Sequence, residues 1–258
     1  MLVNSVIIIL REVLEAALVI SVLLAISQQL KISRQWIFVA LLVGFAGASI
    51  YARYIEVVSM AMEGVGQELV NGSLHLLIYS FIIILIYAIK DRAHYQLMIL
   101  AMTSCVAMAS IREGSEIIIY ISGFVSSPEL LLTVGIGSIV GTGIGISIGV
   151  FFYYLITSMS FNYGIRLSLL LLILIAGAMI LQATQLFIQA DFITSQQPLW
   201  NSSSFISEHS LFGQMLYALI GYEATPTPIQ VFCYIASLLL MTFMTFKTLH
   251  YIKIKQRG

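Results

Sequence analysis

Two short stretches place charged side chains in the middle of otherwise apolar sequence: Arg11-Glu12-Val13-Leu14-Glu15 and Arg112-Glu113-Gly114-Ser115-Glu116. Each reads R-E-x-x-E. On a helix turning about 100° per residue, the arginine and both glutamates of one motif share a sector of about 100° and point together. Arg11 and Glu15, like Arg112 and Glu116, are four residues apart and can pair within one helix, which leaves Glu12 and Glu113 without a basic partner. Four carboxylates against two guanidiniums carry a formal excess of two negative charges. In a low-dielectric surrounding that excess calls for protons or a bound cation. Carboxylate oxygens are hard ligands, and the motifs lack the thiolates or imidazoles that softer metals require. The chemistry is that of a site for Fe³⁺ or another oxygen-seeking cation; spacing alone leaves iron, manganese, magnesium and calcium open. The competing reading is a set of buried ion pairs that only lock helices together.

The elements that position these motifs follow from composition. Of 258 residues, 60% are hydrophobic and 9% charged, against roughly 25% charged in a soluble domain, which excludes a soluble enzyme. Twelve Lys and Arg balance twelve Asp and Glu, so no basic surplus exists for a nucleic-acid partner. Apolar runs of about 20 residues recur along the chain, each long enough to cross a ~30 Å hydrocarbon core. Their breaks predict seven transmembrane helices at about 4–28, 36–56, 72–89, 95–124, 130–156, 167–189 and 229–249, an all-α polytopic membrane protein. All four prolines fall in the predicted connections, as the loss of a backbone donor in lipid requires. The first run carries Arg11, Glu12 and Glu15 in its middle, so it reads as a retained span rather than a signal peptide. Cys105 and Cys233 lie far apart in apolar stretches and read as small buried hydrophobes.

The two motifs lie in spans one and four, 101 positions apart, which gives three helices per copy, and the same offset maps Gly44 onto Gly145 and Ala48 onto Gly149. An odd number of spans per copy predicts a 3+3 inverted repeat that builds a site at the midplane, followed by one C-terminal helix. The expected organisation is one permease domain over residues 1–258: repeat one about 1–92, repeat two about 93–190, an outer segment 191–228 and a seventh helix 229–250. Gly137, Gly141, Gly145 and Gly149 form a stripe for close helix approach, and its counterpart at Gly44 and Ala48 predicts that spans two and five cross each other. Gln182, Gln185 and Gln189 in span six, with His75 and Tyr79 in span three, are candidates for an outer vestibule or for hydrogen bonds between helices.

Basic residues favour the cytoplasmic side. Lys31, Arg34, Lys90, Arg92, Arg166, Lys247, Lys253, Lys255 and Arg257 fall on one side and only Arg53 on the other, which predicts the N-terminus outside and the C-terminus inside. The outer connections are acidic, with Glu56, Glu63, Glu68, Glu129, Asp191, Glu208 and Glu223, a distribution that gathers cations. Glu63 and Glu68 are the candidates for an outer relay.

With both motifs placed, the chain resembles the high-affinity iron permease family, which includes fungal oxidase-coupled permeases and bacterial EfeU-type proteins. The likeness rests on R-E-x-L-E-A from Arg11 to Ala16, R-E-G-x-E from Arg112 to Glu116, the glycine-rich fifth span, Pro198-Leu199-Trp200-Asn201-Ser202-Ser203, Leu211-Phe212-Gly213, and Gly221-Tyr222 with Pro226. The resemblance implies import of Fe³⁺ across the plasma membrane, with Glu12, Glu15, Glu113 and Glu116 as ligands and Arg11 and Arg112 as their charge partners. It implies no resident cofactor, iron being cargo, and a separate extracytoplasmic iron-oxidising protein as partner. Two departures each remove an outer carboxylate: Asn71 stands where many members have Glu, and Asn201 where many have Asp. Rival readings are transport of lead or a divalent metal, an intramembrane metalloenzyme, and a non-transporting scaffold. The enzyme is disfavoured because HExxH is missing and His75, His94, His209 and His250 are dispersed.

Overall fold

The computed structural model describes residues 1–208 and 210–255, so His209 and Arg257 of the sequence reading lie outside the described residues. The described residues form nine α-helices and no strand: α1 (Leu2–Gln29), α2 (Gln35–Arg53), α3 (Ile55–Met60), α4 (Gly66–Ala88), α5 (Tyr95–Ser122), α6 (Pro128–Thr157), α7 (Phe161–Gln189), α8 (Leu211–Ile220) and α9 (Pro228–Lys255). Pro128 and Pro228 open α6 and α9, where the missing N–H has no intrahelical partner to lose. Six of the helices, α2, α4, α5, α6, α7 and α9, are long and apolar enough to cross a membrane, with mean hydropathy from 1.3 to 2.4. The helix α1 is 28 residues long but carries three charged side chains and stands apart from that set. Outward faces are apolar: Leu42, Phe45, Ile139, Leu239 and Phe246 are all exposed, as hydrocarbon contact requires. The chain is a multi-pass helical membrane protein.

Two helix boundaries differ from expectation in ways that matter. Span three begins at Gly66 rather than residue 72, so Glu68 and Asn71 sit on the first turns of α4 instead of in a connection. The outer segment, expected as a connection, contains the helix α8. Its caps were legible: the Ser210 hydroxyl accepts from the Gly213 N–H at 3.0 Å, and Gly221 ends the helix at φ 67°, a conformation that favours glycine.

Packing corrects the expected crossing. Spans two and five, here α2 and α6, do not pack on each other; α6 packs on α1, and α2 on α5. A Cβ added at Gly141 would lie 2.7 Å from the Val6 carbonyl oxygen and 3.2 Å from the Ile9 Cβ, and one at Gly145 would lie 2.8 Å from the Val13 side chain. On the other side, Gly44 meets Ser110 and the Ala107 carbonyl, and Gly114 meets the Ala48 Cβ. The positions 107, 110 and 114 are each 101 above 6, 9 and 13, so the motif helices keep the expected offset. Their partners do not. By contact, Gly44 corresponds to Gly141 and Ala48 to Gly145, an offset of 97, so the glycine helix is shifted by one turn from the correspondence read in the sequence. In both crossings residue numbers rise together, so α1 runs parallel to α6 and α2 parallel to α5.

The apolar core runs through α1, α4, α5 and α7, and includes Val22, Ile26, Ile82, Leu85, Met102, Val106, Leu169 and Leu172. Cys105 is part of it, Cys233 is half-buried, and both thiols are free.

Backbone contact makes Gly141 intolerant of any side chain, whereas a Cβ at Gly143 on the same helix meets nothing within 4 Å. Gly141→Leu is expected to destabilise by at least about 1–3 kcal/mol, as overpacking does, and Gly143→Ala to leave stability unchanged. Thermal retention of monodisperse protein in detergent checks the pair; equal stability of the two variants contradicts this packing.

Candidate metal site

The motif helices α1 and α5 touch, and their six charged side chains gather where they meet. Arg112 is the hub. Its Nη1 lies 3.0 Å from Glu15 Oε2 across the helix pair and also donates to Glu113, while its Nη2 is 3.4 Å from Glu116 Oε1. Arg11 is placed differently, with Nε 3.4 Å from Glu12 Oε1 and 3.6 Å from Glu15 Oε1 and its guanidinium 4.9 Å from the centre of the Tyr217 ring. The side chains of Glu12, Glu15, Glu113 and Arg112 are 5% exposed or less, whereas Arg11 is 31% and Glu116 26% exposed.

The expected pairs at four-residue spacing are present, but Glu12 and Glu113 are not left without a basic partner. Each lies against the arginine that precedes it, because the long guanidinium stem folds back over its neighbour. The two copies are also unequal: Arg112 reaches across to the other motif and Arg11 does not. Charge remains in excess even so. Glu12 Oε2, Glu15 Oε1 and Glu113 Oε2 are buried with no N–H or hydroxyl donor hydrogen-bonded to them, and the carboxyl groups of Glu113 and Glu116 stand within hydrogen-bond reach of Glu12, a contact that a shared proton would make favourable. Among the described residues no three His, Cys, Asp or Glu side chains converge as metal ligands.

Above the cluster opens a cavity of about 620 Å³. Arg11, Glu12, Arg112 and Glu116 line its inner end. Its walls come from α4, through Gln67, Glu68, Asn71 and His75, and from α7, through Gln182, Gln185 and Gln189. All three glutamines singled out in the sequence are here, with His75 but not Tyr79. Asn71 bridges wall and floor: it accepts from the Tyr51 hydroxyl at 3.0 Å and its amide lies 3.4 Å from Glu116 Oε1. Gln182 Nε2 is 3.3 Å from Glu15 Oε2.

Of the two proposed relay acids, Glu68 lines the cavity, with a buried Oε2 that has no hydrogen-bond partner, while Glu63 lies exposed in the turn before α4 and outside the lining. Sequence reasoning missed the roof, to which the outer segment contributes Glu208, Gln214 and Tyr217. That segment folds on itself. Leu199 N donates to Pro226 O and Ser202 N to Ala224 O, both at 2.9 Å, and Glu208 accepts from the Ala224 N–H. The Trp-Asn-Ser and Gly-Tyr stretches thus hold one another, and Tyr222 and Ser202 share a hydrogen bond of 2.8 Å.

A buried carboxylate cluster under an open cavity in a helical membrane protein defines a candidate cation-translocating permease. The chain belongs to the iron permease FTR1 family, whose model matches residues 2–257. It is therefore a protein of a permease family, with iron as the family's cargo. No curated protein and no solved structure matches the chain.

Removing Arg112 strands Glu15, Glu113 and Glu116. Arg112→Met is expected to cost about 3–5 kcal/mol, with Glu113→Gln added to it restoring part of the loss, both read as thermal stability in detergent. A stable single variant contradicts the hub assignment. At the roof, burial first and then the charge of Glu208 raise the Glu223 pKa from 4.5 to about 7, against the opposing hydrogen bond from Gln230. The folded segment then holds more protons than the unfolded chain between pH 4.5 and 7, so its stability falls as pH rises through that window. Hydrogen-exchange protection factors across residues 221–230, taken relative to the intrinsic exchange rate at each pH, should fall over it in the wild type and stay flat in Glu223→Gln; a flat wild-type profile of protection refutes the shift.

Proposed function

We propose that the chain imports Fe³⁺ across the plasma membrane, with Glu12, Glu15, Glu113 and Glu116 as the midplane ligands and Arg11 and Arg112 as their counter-charges. The observation that carries this reading is the formal excess of two negative charges in the cluster of four carboxyl groups and two guanidiniums, of which Glu12 and Glu116 line an open cavity while Glu15 and Glu113 lie buried behind them. Four carboxylates against two guanidiniums hold a cation where neutral packing would hold none, and their hardness favours Fe³⁺.

In this reading α1 is the seventh span, entering from the outside, and the C-terminus is cytoplasmic. Repeat one (about 1–92) and repeat two (about 93–190) are inverted copies, the outer segment 191–228 covers the mouth, and 229–250 is the added helix of a single permease domain. Support comes from the parallel pairing of α1 with α6 and of α2 with α5 across short connections, which turns α1 and α5 in opposite directions. The cation passes Glu208 and Glu68, displaces Arg112 from Glu113 and Glu116, and leaves inward as the repeats rock. Protons held by the excess carboxylates leave as it binds. A separate iron-oxidising protein outside the membrane supplies Fe³⁺. A divalent cargo, or lead, would use the same carboxylates and is separated by competition.

Glu12→Gln with Glu113→Gln removes the excess charge without adding bulk. In proteoliposomes holding the chain alone, with Fe³⁺ and Fe²⁺ supplied separately, the wild type should take up Fe³⁺ and the double variant none, at equal insertion. Retained uptake by the double variant contradicts the mechanism.

A further inference from the structure

The glycine stripe that seats α6 on α1 ends at Gly149, where an added Cβ would lie 2.9 Å from the Ala17 Cβ. One period further on stands Tyr153. A phenol ring at that position cannot let the backbones approach as glycine does, so the two helices part beyond Gly149 and leave a groove between them. The first turn of α2 forms its third wall, and the groove holds about 500 Å³. Ile20 and Leu24 of α1, Phe38 of α2, and Ile146 and Val150 of α6 make its sides apolar. Phe38, Ile146 and Val150 are exposed, on a surface that in a multi-pass membrane protein faces hydrocarbon.

One end of the groove is charged. Arg34 lies there with Tyr153 and Tyr154. It directly precedes α2, a helix long and apolar enough to cross a membrane, so its guanidinium stands at the membrane boundary. Arg34 donates to the Gln28 amide oxygen at 2.8 Å, and its guanidinium is 6.0 Å from the centre of the Tyr153 ring. A guanidinium has five N–H donors, so most of them stay available. Among the described residues no carboxylate pairs with Arg34 or with the neighbouring Lys31. Along α6 the lining runs from Ile146 to Tyr154, about 12 Å of helix, close to the ~15 Å depth of one leaflet of a ~30 Å core.

An apolar slot of one leaflet's depth, ending in an unpaired cation between two tyrosines, is complementary to a phospholipid. Arginine presents a planar fork that binds phosphate oxygens in pairs, and tyrosine settles where hydrocarbon meets water. The uncompensated charge also selects among headgroups: a zwitterionic one brings its own cation to the site, and an anionic one does not.

We propose that this groove binds an anionic phospholipid, with its phosphate on Arg34 and one acyl chain lying between α1 and α6. The lipid fills the space that Tyr153 opens beside α1, the helix that carries the first motif, and so braces that helix from the membrane side.

The test uses the purified full chain, stripped of lipid in detergent. Phosphatidylglycerol and phosphatidylcholine of identical acyl chains are added separately, and bound lipid is read by native mass spectrometry. The wild type should bind phosphatidylglycerol about fivefold more tightly than phosphatidylcholine. Arg34→Gln should lose that preference, and Arg53→Gln, at the far end of α2, should keep it. Val150→Phe fills the groove and should weaken binding of both lipids. Equal affinity for the two lipids in the wild type overturns the proposal. So does a preference that survives in Arg34→Gln, or one that falls equally in Arg53→Gln, which marks general surface charge. A lipid-free dimer that Val150→Phe disrupts places a second copy of the chain in the groove and overturns the proposal as well. If Arg34→Gln does not stay folded, Val150→Phe decides: unchanged lipid binding overturns the proposal, and weakened binding beside the wild-type preference supports it.

Discussion

Everything in this protein is arranged around one electrostatic imbalance: two guanidiniums, Arg112 buried and Arg11 partly exposed, cannot neutralise four carboxylates drawn from two helices. Ionised side chains cost about 2.5–3.5 kcal/mol each at a helix centre, so the cluster persists only because its members pair and because one end meets a wet cavity. Arg112 does most of the pairing, reaching Glu15 on the opposite helix as well as Glu113 and Glu116 on its own. Of the four carboxyl groups, Glu12 and Glu116 line the cavity, and Glu15 and Glu113 are buried behind them.

The fold supplies what that arrangement needs. Close approach of α6 to α1 at Gly141 and Gly145, and of α2 to α5 at Gly44, presses the motif helices inward from both sides. Two polar ladders on α4 and α7 then lead from the outside to the cluster, and below Glu68 they consist of asparagine, histidine and glutamines. Acidic side chains thus stand at both ends of the cavity, Glu68 and Glu208 toward the mouth and Glu12 and Glu116 at the cluster, with uncharged polar side chains between them. The outer segment closes part of the mouth, and Tyr217 of α8 stacks against Arg11, which ties the roof to one of the two arginines.

Much of this was legible in the sequence because charges in apolar helices leave few choices. The motifs, the glycine stripe and the glutamine face were found by spacing alone, and the helices fall close to where the apolar runs put them. What was missed depends on tertiary contact. Spacing on one helix cannot say that Arg112 crosses to Glu15, or that the stem of an arginine folds back onto the next residue, so Glu12 and Glu113 were wrongly left without partners. Sequence offset cannot see a one-turn slip of the glycine helix, since Gly137, Gly141, Gly145 and Gly149 repeat at that very interval. The helix α8 was overlooked because its ten residues are too short to signal a span, although Ser210 and Gly221 mark its ends. Glu63 and Glu68 looked alike as outer acids, and only the earlier start of α4 separates the one in the cavity from the one outside it.

The most direct test of the central claim is an anomalous difference map at the iron edge from crystals of the full chain equilibrated with Fe³⁺. The account predicts a peak at the inner end of the cavity within coordination distance of carboxylates from both motifs, with Arg112 moved off at least one of them. Iron found only at surface acids such as Glu63 or Glu129, with the two arginines still seated among the buried glutamates, would contradict it.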